Sequence, residues 1–358
     1  VTGPLRILLL GSGHARPPLL KQLSALSRRG HSVSLLATAP QIWAEAVPAM
    51  LAGRIDPAIA RLDVGTLARQ AGIGFIDDGV LGLDLKAGLV HRHEGEPVPF
   101  DLLSIAPEAG TRAIPGTVGH HRCFATRPLS RLLDLRAALE ARFALHPGRV
   151  VALTIAGGGI EAVRMALSIL QLAALLGGHV AVTLLMRGLI LSRLPGPVGV
   201  RLAEFLSAHG AILIEKATVA RVDGNEAVLA NGDRIAFDLF LNATGGVGPG
   251  WLKTSGLNVD VDGRLACDAR LFVGGLDHVL AGGETVCPSG GLHPGWRTLG
   301  FNLTALASSL VPRRATLHTP PLFFDLGNGT ALAQWAGYWT QGRSALWVLR
   351  WLEGRWLL

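Results

Sequence analysis

Apolar positions in this chain fall into short unbroken runs, set between glycine turns and longer stretches of helical spacing. Residues 7–10 are uniformly apolar, the run stops at Gly11-Ser12-Gly13, a helix-compatible segment leads on to Arg29-Gly30, and residues 33–36 form a second run. The order strand, glycine turn, helix, strand predicts a parallel unit whose strands are buried on both faces. The pattern then recurs. Residues 150–156 are largely apolar, end in Gly157-Gly158-Gly159, and lead into helical spacing over 162–176 and a strand over 180–185.

Between these units, residues 63–71 have helical spacing and 74–76 read as a strand. Residues 83–85, 89–91 and 97–100 read as short antiparallel strands with turns at Ala87-Gly88 and Glu94-Gly95, and 101–105 as a returning central strand. From Arg127-Pro128 an amphipathic helix is expected to about Leu145, with Leu129, Leu132, Leu133, Leu135 and Leu139 on one side. Residues 200–209 read as a helix, then 211–215, 219–222 and 226–229 as strands. Asn231-Gly232 predicts a type I′ hairpin turn, and the strand 237–242 ends in Ala243-Thr244-Gly245-Gly246. Residues 165–186 hold no Asp, Glu, Lys or Arg, a run as long as a membrane-spanning helix needs. Gly177-Gly178-His179 divides it, so a buried helix and then a buried strand are expected.

Glycine at 11 and 157 permits a sharp turn, and at 13 and 159 lets the backbone approach a pyrophosphate seated on the amides of the next helix. Gly157, Gly159 and Ile160 fit G-x-G-x-x-A through Ala162; in the first copy Arg16 replaces the third small residue. Two such units predict an α/β fold with two Rossmann-like dinucleotide-binding domains, three-layered around parallel sheets.

At 358 residues the chain can hold both domains. Hydrophobic residues make up 49% and charged residues 16%, with a mean hydropathy of +0.39, so a membrane, a partner or a large cofactor is expected to cover some surface. The net charge is +7, carried by dispersed arginines, with Lys21, Lys86, Lys216 and Lys253 as the lysines. No dense basic tract points to nucleic acid. Cys123, Cys267 and Cys287 have neither C-x-x-C nor zinc spacing, which suits a reducing cytoplasm, and no secretory leader is read before the first strand.

The order of parts resembles the two-dinucleotide-fold FAD/NAD(P) oxidoreductases of the pyridine nucleotide-disulfide oxidoreductase superfamily. It is most similar to the type II NADH dehydrogenase-like branch, including flavin domains fused to selenide, water dikinase. Residues 8–15, 50–53, Arg127-Pro128, 154–159, 242–245 and 277–284 carry the likeness. The resemblance implies an FAD domain over 1–118 and 240–310 with an inserted β-meander, an NAD(P) domain over 119–239, and a C-terminal region over 311–358 that docks on an interface or membrane. It implies that Gly11, Ser12, Gly13, His14, Ala15 and Arg16 hold the FAD diphosphate, with Thr38 where an acid usually takes the adenosine ribose. Gly283-Glu284 stands where an aspartate usually binds the ribityl chain. Arg127 and Thr244-Gly245 join the cofactor-binding set, and the loop at Gly157 would take NADH or NADPH. Arg187, where an acid would select NADH, points to the 2′-phosphate of NADPH.

The activity implied is electron transfer from NAD(P)H through flavin to a quinone or other acceptor, with no side chain assigned as acid or base. A sulfide:quinone oxidoreductase-like use of Cys123 and Cys287 as a dithiol is an alternative. So is a non-catalytic subunit of a membrane assembly, suggested by Thr38, Met186, Glu284 and Pro107-Glu108. Where a glutamine-rich quinone motif would come after Glu284, His293-Pro-Gly-Trp-Arg297 stands instead. His91-x-His93 and His120-His121 lack a third metal ligand and read as solvated histidines. Five of the eight tryptophans, Trp335, Trp339, Trp347, Trp351 and Trp356, interleave with Arg343, Arg350 and Arg355. This arrangement suits tryptophan at lipid headgroups with arginine on phosphate, peripheral on the inner membrane face, or packing on a homodimer partner.

Overall fold

The computed structural model describes residues 3–287, 296–314 and 321–357. Ten strands build two parallel sheets: β1 (Arg6–Leu10), β2 (Ser32–Leu36), β3 (Gly74–Ile76), β4 (Leu102–Ile105), β5 (Cys123–Ala125), β6 (Val150–Ala156), β7 (His179–Leu185), β8 (Ile212–Ile214), β9 (Leu239–Asn242) and β10 (Val279–Ala281). The first sheet has the order β10-β4-β1-β2-β3 and the second β5-β9-β6-β7-β8. Each glycine-terminated run is thus the middle strand of its sheet. Helix α1 (Pro17–Arg28) comes after the first turn and α2 (Ile160–Leu176) after the second.

The copies correspond further. Each runs from the middle strand out to an edge strand, through a three-stranded antiparallel meander, and back beside the middle strand. The first meander is Val80–Asp84, Leu89–Arg92 and Val98–Pro99; the second is Val219–Asp223, Glu226–Leu229 and Arg234–Ala236. Burial explains why the middle strands read as continuous apolar runs. Ile7 and Leu9 share one core with Leu23 and Val64, while Leu8 and Leu10 share another with the meander residues Leu83 and Val90. In the second sheet Val151, Leu153 and Ile155 pack with Ala166 and Leu172, and Ala156 packs with Ala227 and Leu229 of its meander. A fully buried leucine at such a site contributes about 2 kcal/mol.

The chain divides into one compact unit of Val1–Gln41, Leu62–Gly110 and Gly246–Thr319 and another of Ile42–Arg61, Thr111–Gly245 and Pro320–Leu358. These boundaries differ from the expected ones. Residues 42–61 leave the first domain because Val47, Met50 and Leu51 belong to the core of the second sheet. The C-terminal stretch is likewise no separate region, since Phe324 and Leu332 join that same core. It forms β11 (Leu322–Asp325), β12 (Ala331–Trp335), β13 (Tyr338–Gly342) and helix α3 (Arg343–Leu357).

The uncharged run 165–186 resolves into the end of α2, a left-handed cap at Gly177 (φ 66°), and β7. No helix among the described residues is long and apolar enough to cross a membrane. At Asn231-Gly232 the predicted type I′ turn does not form. Only Gly232 has positive φ (94°), because the Asn231 side chain accepts the Asp233 N–H at 3.1 Å and holds its own backbone at negative φ.

Candidate functional site

The two glycine loops are built alike. Gly11 and Gly157 take φ of 95° and 138°, and a Cβ on either would collide with a neighbouring carbonyl, that of Ala106 after β4 or of Ala243 after β9. Their N–H groups donate to the carbonyls ending the strand on the other side, Leu36 at 2.8 Å and Leu185 at 2.9 Å. Each turn is therefore wedged between two strand ends, and only glycine fits.

Beyond the first glycine the two loops differ. In the first, Ser12–His14 form a 3₁₀ turn, and the amides of residues 13–16 are taken up by carbonyls of the same unit. The Gly13 N–H donates to Ala106 O (3.2 Å), His14 to Gly11 O (3.3 Å), Ala15 to Ser12 O (2.9 Å) and Arg16 to His14 O (2.7 Å). Helix α1 then opens on Pro17 and Pro18, which have no N–H at all. The expected cradle of bare helix amides is absent here, and Ser12 and the half-buried Arg16 stand at the loop instead. His14 turns inward. Its ring contacts Ser104 Oγ on β4 at 2.8 Å and Gly11 O at 3.1 Å, and burial pushes its pKa down to about 4.

Helix α2 begins directly after Gly159 with no side-chain cap, so the amides of its first turn face outward without an intrahelical partner. Met186 lies under Gly158, whose carbonyl accepts the Leu191 N–H at 2.8 Å. The β7–loop junction is thereby held against the turn, with Met186 buried and Arg187 exposed. Glu161, in the first turn of α2, pairs with the buried Arg127 at 2.6 Å. Arg164 is fixed in the opposite direction, donating to Phe323 O at 3.0 Å over the Phe324 ring, and burial lowers its pKa. At the end of β9, Asn242 Oδ1 accepts from the N–H (3.2 Å) and hydroxyl (2.8 Å) of Thr244, and Gly245 has φ of 114°. Since Ala243 carries the carbonyl that backs Gly157, Thr244-Gly245 belongs beside the second loop.

Gly283 (φ 78°), Glu284 and Thr285 form a 3₁₀ turn after β10, tied by the Gly282 N–H to Ile105 O at 2.9 Å. It sits on the same edge of the first sheet as Gly11. The Thr285 hydroxyl is fully buried and has no partner among the described residues, a hydrogen-bonding capacity that an oxygen-rich ligand would satisfy. Thr38, exposed after β2, accepts the Gln41 side-chain N–H at 3.1 Å. Beside it stands Asp77, a carboxylate the sequence pattern did not single out. Only the pairing of β2 with β3 brings it there.

Cys123 and Cys287 lie in different units, and burial pushes the Cys123 thiol up to about 11, away from the lowered value of an activated dithiol. His293 to Gly295, in the stretch replacing the quinone motif, lie outside the described residues, as does the side chain of Trp356. In the C-terminal segment Trp335, Tyr338, Trp347 and Trp351 are exposed. Arg350 does not join them: it is paired with Asp325 and with Glu353, so it is not the phosphate contact expected from the sequence.

No protein-family model matches the chain, and no curated protein matches it in sequence. Solved structures do match. The sulfide:quinone oxidoreductase of the hyperthermophilic bacterium Aquifex aeolicus is 14% identical with a TM-score of 0.82, over 98% of this chain and 90% of that one. Putidaredoxin reductase, in its covalent complex with putidaredoxin, is 16% identical with a TM-score of 0.73, over 92% and 80%. An engineered water-forming NADPH oxidase bound to NADPH is 15% identical with a TM-score of 0.74, over 92% and 75%. The shared property is the fold, two Rossmann-like units on parallel sheets.

Proposed function

We propose that the chain is an FAD-dependent oxidoreductase that draws electrons from NADPH and passes them to a separate acceptor. The observation that carries this reading is the duplicated wedge at Gly11 and Gly157, which puts a nucleotide-type turn on the middle strand of each sheet. In the first unit Gly11, Ser12, Gly13, Ala15 and Arg16 would hold the FAD diphosphate, with the Arg16 guanidinium supplying the charge that α1 lacks. His14 braces that loop from beneath. Thr38 would meet the adenosine, and Gly283-Glu284 with the buried Thr285 hydroxyl the ribityl chain.

In the second unit the open amides after Gly157, Gly159 and Ile160 would take the nicotinamide dinucleotide's pyrophosphate. Arg187 would take the 2′-phosphate, and Thr244-Gly245 would flank the chain beyond it. Arg127 neutralises Glu161, whose bare charge at the helix start would repel the pyrophosphate. Bound flavin supplies two-electron acceptance, while these residues bind and orient. A quinone is the acceptor suggested by the Aquifex aeolicus enzyme's name, and the exposed tryptophans of the C-terminal segment suit peripheral contact with a lipid surface.

A visible spectrum tests the reading. Flavin absorbance, native or after incubation with FAD, is expected, with anaerobic bleaching faster with NADPH than with NADH. No flavin under either condition would end it. The result would then favour a second reading, a non-catalytic subunit, which the internally bonded amides of residues 13–16 and Pro17-Pro18 suit.

A further inference from the structure

At the C-terminal edge of the first sheet, Leu36 of β2 pairs with Ile76 of β3, and the Ala37 N–H donates to Ile76 O at 3.1 Å. The residues that leave the sheet next on these two strands therefore emerge side by side. On β2 these are Thr38 and Ala39, and on β3 Asp77. Asp77 Oδ1 accepts the Ala39 N–H at 2.9 Å, which aims its carboxylate at the loop after β2. The residue is exposed, and among the described residues its second oxygen has no hydrogen bond and its charge no ion pair.

Its neighbour is used differently. Asp78 is buried and accepts the N–H groups of Gly79 (2.7 Å) and Glu94 (2.9 Å), with Arg92 alongside, so it fastens the meander. Thr38 brings no charge, and its hydroxyl oxygen already accepts from Gln41. A vicinal diol donates two O–H groups, and a carboxylate with a free oxygen is the acceptor that matches them best.

We infer that Asp77 binds the ribose diol of the adenosine half of FAD, the acid having moved from the end of the second strand to the end of the third. This rests on the proposal that the first unit is the flavin site. A neutral amide at 77 keeps the Ala39 contact through its carbonyl oxygen but loses the charged acceptor. Charge-assisted hydrogen bonds of this kind correspond to about ten- to a hundredfold in affinity.

The test is titration of flavin-stripped protein with FAD and with FMN, which lacks the adenosine, monitored by flavin fluorescence. Asp77→Asn is expected to weaken FAD at least tenfold and leave FMN unchanged. Thr38→Glu added to Asp77→Asn, which returns an acid to the second strand, is expected to recover most of the loss. Unchanged FAD affinity in Asp77→Asn would overturn the inference. So would an equal loss of FAD and FMN, because that would make Asp77 only a brace for the loop. If the unsubstituted protein takes up no FAD, the flavin reading itself fails and takes this inference with it.

Discussion

At the scale of single residues, His14 ties the first loop to proton activity. Its folded pKa, about 4, lies below the ordinary histidine value because burial penalises the imidazolium. Below about pH 6.5 the unfolded chain binds a proton that the folded one refuses, so the fold loses stability as pH falls from about 6.5 towards 4. Between pH 7 and pH 5 this amounts to about 2 kcal/mol. A urea series at the two pH values is expected to show a midpoint shift that shrinks in His14→Asn. An identical shift in the variant would assign the effect to other groups. Gly11 and Gly157 were legible in the sequence because a turn at positive φ against a strand-end carbonyl tolerates nothing else. His14 gave no such signal: its partner, Ser104, lies 90 positions away.

Among elements, α1 and α2 have the same place in their sheets and different first turns. The difference is written in the sequence as Pro17-Pro18 against Ile160-Glu161, although the motif pattern conceals it. Replacing both prolines by alanine returns two N–H donors to the start of α1. An anion near a helix start gains about 0.3–1 kcal/mol from such groups, so FAD is expected to bind about two- to fivefold more tightly to Pro17→Ala/Pro18→Ala. Weaker binding would show that the diphosphate does not approach α1. The uncharged run 165–186 shows the same gap between pattern and element. Its length alone fits a membrane span, but Gly177 at φ 66° ends the helix, and β7 pairs with β6 over seven positions.

For the molecule as a whole, much of the chain's apolar content is buried around two parallel sheets, while Trp335, Trp347 and Trp351 of the C-terminal segment stand exposed. Trp347→Ala/Trp351→Ala is expected to lower co-sedimentation with anionic liposomes severalfold while leaving any bound flavin in place. Unchanged sedimentation would remove the proposed lipid contact. Point substitution is the right instrument, because deleting α3 would also remove Arg350 and Glu353. Asp325 and Arg54, which bond to these residues and to each other, would lose partners in a largely buried network.

The sequence by itself determined the repeat, the middle strands, the glycine wedges and the order of helices and meanders. These arise from local rules: an apolar run must be covered, and a backbone at positive φ selects glycine. The tertiary structure alone decided how the site is equipped. It closed the Gly13 amide on the Ala106 carbonyl, set Arg127 on Glu161, withdrew Arg350 to Asp325, and brought Asp77 to Ala39. Hydrogen bonds and ion pairs between residues tens of positions apart have no period along the chain, so only packing brings their partners together.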